Sequence, residues 1–350
     1  MTQDRNTPSL PTINDIARVA QVSLATVDRV LNARPGVREK TVKKVNQAIE
    51  DLGYVRDAAA ASLARGRIYN FVFILPAGSN EFLTSLETEI KQLSKGLRHE
   101  RTRLSFIRVA AFDPVALAEA IGAIDSQEVD GVAIFGPETP SVRDSIAHLK
   151  SNGVTVVSLV ADIPSSDRDH YVGVDNIAAG RTAAQLLGRF VGSANCKILV
   201  LTGSMLARDH LERRLGFDEI MARDFPHLEV MPSLEGRDDP DLIEKLLPSV
   251  MSENKGVAGI YSSAAGNEGL LRVLRATPRI SKPTIIAHEL TPLSCEALNH
   301  GLFDAVISQD SGHLVRSAVR IMRAKSDRMP INIAQERIRI DIYLKENMPP

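Results

Sequence analysis

Residues 12–32 read TINDIARVAQVSLATVDRVLN, and the spacing of their apolar positions decides the first part of the fold. Thr12 with Asp15 three residues later is a variant of the capping box that opens a helix. Ile13, Ile16, Ala17 and Ala20 then recur on one face. Gln21-Val22 is a tight connection, and Ser23 caps a second helix whose inward side carries the Thr26 methyl, Val27, Val30 and Leu31. A third helix is predicted over Glu39–Leu52, with Val42, Val45, Ile49 and Leu52 as its stripe and Gly53 as its stop. A helix, a short turn and a second short helix with a polar outer face form the helix-turn-helix pattern. Its second helix is narrow enough to enter the DNA major groove and present side chains to base edges. The competing reading is a plain three-helix bundle.

The same stretch, continued as GVREKTVKKVNQAIEDLGYV, resembles the DNA-binding headpiece of the LacI/GalR family of bacterial repressors. The resemblance implies that Leu24, Ala25 and Arg29 read bases, Arg29 by bridging guanine O6 and N7. It implies phosphate contacts from Thr12, Ser23, Thr26 and Asn32. Three departures bear on the operator sequence. Gln21 replaces the usual turn glycine, tolerable if its φ stays negative. Asp28 stands where the family has Ser, so a phosphate contact is lost or the carboxylate accepts from a cytosine amino group. Arg56-Asp57 replaces Pro-Asn.

Asp57–Arg67 reads DAAAASLARGR, helix-favouring but too short to be stable alone in water. By the resemblance this is a hinge that folds on operator DNA and wedges a leucine, Leu63, into the minor groove, with Arg65 and Arg67 meeting phosphates. A marginal helix of this kind converts ligand binding into DNA release if the core moves two hinges apart. A plain flexible linker is the alternative.

Beyond residue 68, short β-rich runs alternate with amphipathic stretches, which predicts parallel sheets covered by helices in two units. The expected class is α/β with a small all-α headpiece, and the family resemblance implies a two-lobed core like a periplasmic binding protein. The boundaries read 1–56 for the headpiece, 57–67 for the hinge and 68–350 for the core. Within the core, about 68–171 and 308–330 are expected to form the first lobe, and about 172–307 and 331–350 the second. No G-x-G-x-x-G, P-loop lysine motif or G-x-S-x-G elbow follows a strand, so no cofactor and no enzyme activity are expected. His288-Glu289 is the one tempting catalytic pair, and no metal-ligand spacing is present.

The core resembles the sugar-binding effector domains of the same family. LPAGSNEF puts Asn80 and Phe82 at the cleft, RRLGF puts Arg213 at the effector-binding arginine, and IIAHELT puts Glu289 where an Asp is usual. ISQD places Gln309 at a further ligand position, and Glu138, at the end of a first-lobe strand, is expected at the cleft as well. VGVDNIAAGRTAAQLL matches the first helix of the second lobe, with Asp175 at the crossover. YSSAAGNEG departs from the family pattern, so Ser262 or Ser263 replaces an Asn contact, with Ser263 counted in the site. Donors and acceptors of these types suit a sugar or polyol.

Composition agrees with a globular regulator. The 350 residues are 44% hydrophobic and 24% charged with a formal net charge of −1. Residues 1–66 hold ten Lys/Arg against seven Asp/Glu, so the positive excess sits at the reading end. Cys196 and Cys295 cannot form a disulfide framework or a cysteine zinc site. The polar N-terminus predicts no secretory signal, no apolar run is long enough to cross a membrane, and a cytoplasmic protein is expected. Aromatics at 4% with no Trp argue against single-strand stacking surfaces. A palindrome reader is expected to be a homodimer on double-stranded operator DNA, and the absence of a C-terminal leucine heptad argues against a tetramer. A sugar-binding transport component is the alternative function.

Overall fold

The computed structural model describes residues 11–31, 35–52, 67–78, 80–192, 195–264, 266–276 and 282–349. The chain divides into two compact units, Met1–Arg67 and Ile68–Pro350. Asn32, Leu63, Arg65 and nearly all of the hinge, residues 57–66, lie outside the described residues.

In the first unit, helices α1 (Ile13–Ala20), α2 (Leu24–Leu31) and α3 (Glu39–Leu52) enclose a core of Ile16, Ala20, Val27, Val45 and Ala48. Ile13 is not part of it; it is 38% exposed. Ala48, rather than Val42, completes the buried face of α3, because one helical turn carries Val45 and Ala48 to the same side. At the start of α1 the Asp15 carboxylate accepts from both the Thr12 N–H, at 2.9 Å, and the Thr12 hydroxyl, at 2.8 Å. The hydrogen bond from Arg18, followed by those from Thr12, holds the Asp15 pKa down to about 2.

Gln21 closes α1 in the left-handed region, φ 54° and ψ 47°, with the Val22 N–H donating to the Ala17 carbonyl. The expectation of a negative φ fails here: the turn keeps the geometry a glycine would give it, and glutamine bears the strain. Gln21→Gly is therefore expected to stabilise this unit by roughly 1 kcal/mol. Slower amide hydrogen exchange across α1 and α2 checks it, and unchanged protection contradicts it.

The second unit begins with β1 (Tyr69–Pro76), α4 (Glu81–Gly96), β2 (Thr102–Val109), α5 (Pro114–Gly122), β3 (Gly131–Ile134), α6 (Pro140–Ser151), β4 (Thr155–Leu159) and β5 (His170–Val172). The chain continues through α7 (Asn176–Val191), β6 (Cys196–Thr202), α8 (Arg208–Asp224), β7 (Leu228–Glu235), α9 (Pro240–Glu253), β8 (Val257–Ser262) and α10 (Asn267–Ala276). It ends with β9 (Thr284–His288), α11 (Pro292–Asn299), β10 (Ala305–Ser308), α12 (Ser311–Ser326), α13 (Ile333–Glu336) and β11 (Asp341–Tyr343).

The strands form two sheets, β2-β1-β3-β4-β5 and β11-β10-β9-β8-β6-β7, parallel throughout except for β11. Apolar strand runs such as Phe71–Leu75 are buried because helices cover both faces. Each sheet belongs to one lobe, and the chain passes between lobes after β5, after β10 and before β11. The last passage lies later than residue 331. Ile331 and Ile338 pack into the first-lobe core with α12, and Ile340 touches the cores of both lobes.

Candidate functional site

The parallel strands of both sheets run their C-terminal ends toward one crevice, the position where α/β folds place ligands. A cavity of about 120 Å³ lies there. First-lobe residues give it an apolar wall, including Ala77, Phe82, Phe112, Phe135, Val160 and Ala161. Second-lobe residues give the polar wall: Asp209, His210, Arg213, Arg237, Asp238 and Glu289. A second cavity of about 290 Å³ adjoins it, sharing Asn80, Phe82, Asp238 and Glu289 and adding Glu81, Glu268 and His288.

Arg213 is the pivot of the polar wall. It is 3% exposed and donates from Nε to Asn176 Oδ1 at 2.9 Å and from Nη1 to the Ser263 carbonyl at 2.8 Å. Its Nη2 stands 3.6 Å from Glu289 Oε1. Asn176 in turn donates to the Val160 carbonyl of the first lobe, 3.3 Å away. Arg213 is thereby tied to both lobes.

The position of Arg213 follows from two glycines. A Cβ on Gly180 in α7 would collide with the Arg213 carbonyl, and one on Gly216 in α8 would collide with the Ile177 carbonyl. The two helices touch backbone to backbone there, and this contact sets how deep α8 carries Asp209 and Arg213.

Glu289 follows β9 in a left-handed conformation, φ 69°, and is 7% exposed. Gln309 donates to its Oε1 at 3.0 Å, while Oε2 is buried without a hydrogen-bond partner. Burial raises the Glu289 pKa, opposed by the nearby Arg213 charge.

Of the seven residues expected in the cleft, Asn80, Phe82, Arg213 and Glu289 line the 120 Å³ cavity. Asn80 also caps α4, its Oδ1 accepting from the Leu83 N–H at 2.8 Å. Gln309 lines neither cavity; it is buried behind Glu289 and orients that carboxylate. Ser263 also lines neither, because its hydroxyl donates to the Leu201 carbonyl and only its own carbonyl serves the site, through Arg213.

Glu138 is a further correction. It lines neither cavity and instead accepts from Arg208 of the second lobe at 3.0 Å, from Arg143 at 3.4 Å and from the Ser165 N–H at 3.3 Å. It is a strap across the mouth of the cleft. Glu81 makes a second strap, accepting from the Leu293 N–H at the start of α11, 3.1 Å away.

Sequence reasoning missed Asp209, His210, Asp238, Phe112 and Phe135. Asp209 carried a legible signal, lying one helical turn before Arg213 on the same face. The imidazole of His288 faces the Tyr261 hydroxyl at 2.9 Å in the core, and burial drives its pKa well below the usual value, so it is neutral. That arrangement gives no support to a His288-Glu289 catalytic pair.

In the first unit, Leu24, Ala25, Asp28 and Arg29 are exposed on α2, Leu24 by 50%. Ser23 accepts from the Thr26 N–H at 3.2 Å, which caps α2, and its hydroxyl lies 2.9 Å from that of Thr26. Among the described residues no helix is long and apolar enough to cross a membrane, and no group of three or more His, Cys, Asp or Glu is placed to hold a metal ion.

Residues 71–327 match the family described as "Periplasmic binding protein domain", and residues 12–57 match "Bacterial regulatory proteins, lacI family". Catabolite control protein A of Priestia megaterium is 30% identical over 194 residues, 55% of this chain and 55% of that protein. The same-named protein of Staphylococcus aureus strain MRSA252 is 25% identical over 210 residues, 60% of this chain and 61% of that one. The chain thus spans little more than half the length of these curated relatives. Among solved structures, a solute-binding protein of an ABC transporter from Burkholderia graminis C4D1M, in complex with D-arabinose, superposes with a TM-score of 0.70 at 20% identity, covering 80% of this chain and 96% of that one. A putative LacI transcriptional regulator from Bacteroides fragilis superposes with a TM-score of 0.71 at 16% identity, over 80% and 98%. At these identities the likeness concerns the fold of the core.

Proposed function

Because this chain belongs to the lacI family of bacterial regulatory proteins, with a core of the periplasmic binding protein domain family, we propose that it is a transcriptional repressor. It reads a pseudo-palindromic operator as a homodimer in the cytoplasm and responds to a sugar or polyol held between its core lobes. The family is one of regulators and not an enzyme class. One observation carries the reading: a single chain joins a helix-turn-helix whose second helix exposes Leu24, Ala25, Asp28 and Arg29 to a cleft with one apolar and one polar wall. A sugar ring has the same two-sided character, with carbon faces and a hydroxyl rim. The helix-turn-helix speaks against the transport reading, which has no use for it.

Fluorescence anisotropy on fragments of the protein's own promoter region tests this. Binding is expected to be sequence-selective and to weaken steeply with salt as phosphate contacts release counterions. Equal affinity for all fragments contradicts it. In the same assay Arg29→Ala is expected to cost about 1–3 kcal/mol on the cognate site and to relax selectivity at one base pair. Retention of wild-type discrimination removes the role assigned to Arg29.

A further inference from the structure

We propose that the ligand of this cleft carries a protonated amine beside its hydroxyls, making it an amino sugar or amino polyol rather than a neutral or acidic one. The proposal rests on the reading of the cleft as the effector site. Asp209, Asp238 and Glu289 all line the 120 Å³ cavity. Each has one carboxylate oxygen that is buried and without a hydrogen-bond partner: Oδ1 of Asp209, Oδ1 of Asp238 and Oε2 of Glu289. Asp209 is 3% and Glu289 7% exposed, and Asp238 is half-buried. Asp238 packs against Gly203 and His210, where a Cβ on Gly203 would strike both.

The cations around them do not balance this charge. Arg213 spends its fork on Asn176, the Ser263 carbonyl and the far oxygen of Glu289. Arg237 lines the cavity but is an exposed side chain. His210 stands with Nε2 3.6 Å from the other Asp209 oxygen, and its Nδ1 lies 3.2 Å from the Ser204 N–H. The adjoining cavity adds Glu268, paired with Arg272 at 2.7 Å, and Glu81, which accepts from the Leu293 N–H. The helix-α8 N-terminus offsets part of the Asp209 charge.

Buried carboxylates without partners are costly, and for Asp238 and Glu289 this cost is visible in their proton affinity. Burial pushes the Asp238 pKa up to about 6 and moves Glu289 in the same direction. A hydroxyl offers one donor and brings acceptor lone pairs of its own. An ammonium offers three donors, no acceptor and the missing charge. The opposite wall suits it as well, since Phe82, Phe112 and Phe135 present aromatic rings, whose faces attract cations. A carboxylate or phosphate on the ligand would meet repulsion from three sides.

The test is a calorimetric and thermal-shift panel on the full chain at pH 7, using matched probes: D-glucosamine, D-glucose and D-gluconate; D-galactosamine, D-galactose and D-galacturonate; glucamine and sorbitol. An aminated member is expected to bind at least tenfold more tightly than its neutral counterpart, with the acid silent. Asp238→Asn and, independently, Asp209→Asn are expected to bring that ratio toward one, each variant keeping a cooperative unfolding transition. A neutral or acidic member that binds as tightly as its amine overturns the proposal and leaves the effector reading standing. Silence of every polyol in the panel, charged or not, overturns both.

Discussion

Arg213→Ala is expected to lower the stability of the core by about 3–5 kcal/mol and to leave operator binding indifferent to ligand. The arginine is almost wholly buried, so the loss is not that of a surface charge. Its removal strands the Asn176 Oδ1 and the Ser263 carbonyl, each of which would bear a desolvation penalty. It also leaves Glu289 as a buried acid with Gln309 as its one hydrogen-bonding side chain. Arg213→Lys keeps the charge but not the fork, and should recover only part of the loss. Urea unfolding followed by circular dichroism reads the first effect, and anisotropy with and without ligand reads the second. An unchanged unfolding midpoint would show that the Arg213 network carries no stability, and a normal ligand response would remove Arg213 from the binding wall.

Gly216→Ala should be comparably severe, at about 3 kcal/mol or more, although alanine is the better helix former by roughly 1 kcal/mol. The added methyl falls on the Ile177 carbonyl, a backbone atom that no rotamer change can move. Helix α8 must therefore back away from α7, and it carries Asp209 and Arg213 with it. Loss of ligand binding should accompany loss of stability. Gly122→Ala, where nothing lies within 4 Å of the new methyl, is the control and should be neutral or mildly stabilising. Equal behaviour of the two variants would rule out the close helix contact as the determinant of the site.

The three headpiece helices and most of the core strands were legible because their signal is local: apolar spacing, capping residues and stop glycines. β7 was not, and the reason lies in its sequence and place. It is an edge strand carrying Pro232, and its pairing with β6 shifts register between Ile198 and Val200. With β7 unseen, the turn beyond it gave no reason to suspect Asp238. β5 and β11 are three-residue strands at sheet edges, too short to show a period. The lobe to which Ile331 and Ile338 belong is not legible for a related cause. Ile338 has no neighbour in sequence that reveals which core it enters, and only contact with α12 decides it.

The resemblance to LacI/GalR effector domains named Asn80, Phe82, Arg213 and Glu289, while alternation of strand and helix and the headpiece spacing were enough to determine the architecture. Those properties follow from covalent geometry and local hydrophobic patterning, which a sequence carries by itself. Which oxygen accepts from which proton did not follow. Glu138 became a strap between lobes, Ser263 a carbonyl support and Gln309 a prop for Glu289 because residues distant in sequence reached them first. The partnerless oxygens of Asp209, Asp238 and Glu289 likewise exist only in the folded chain. Hydrogen bonding and desolvation depend on what stands within a few ångströms in space, and only the folded chain sets that distance.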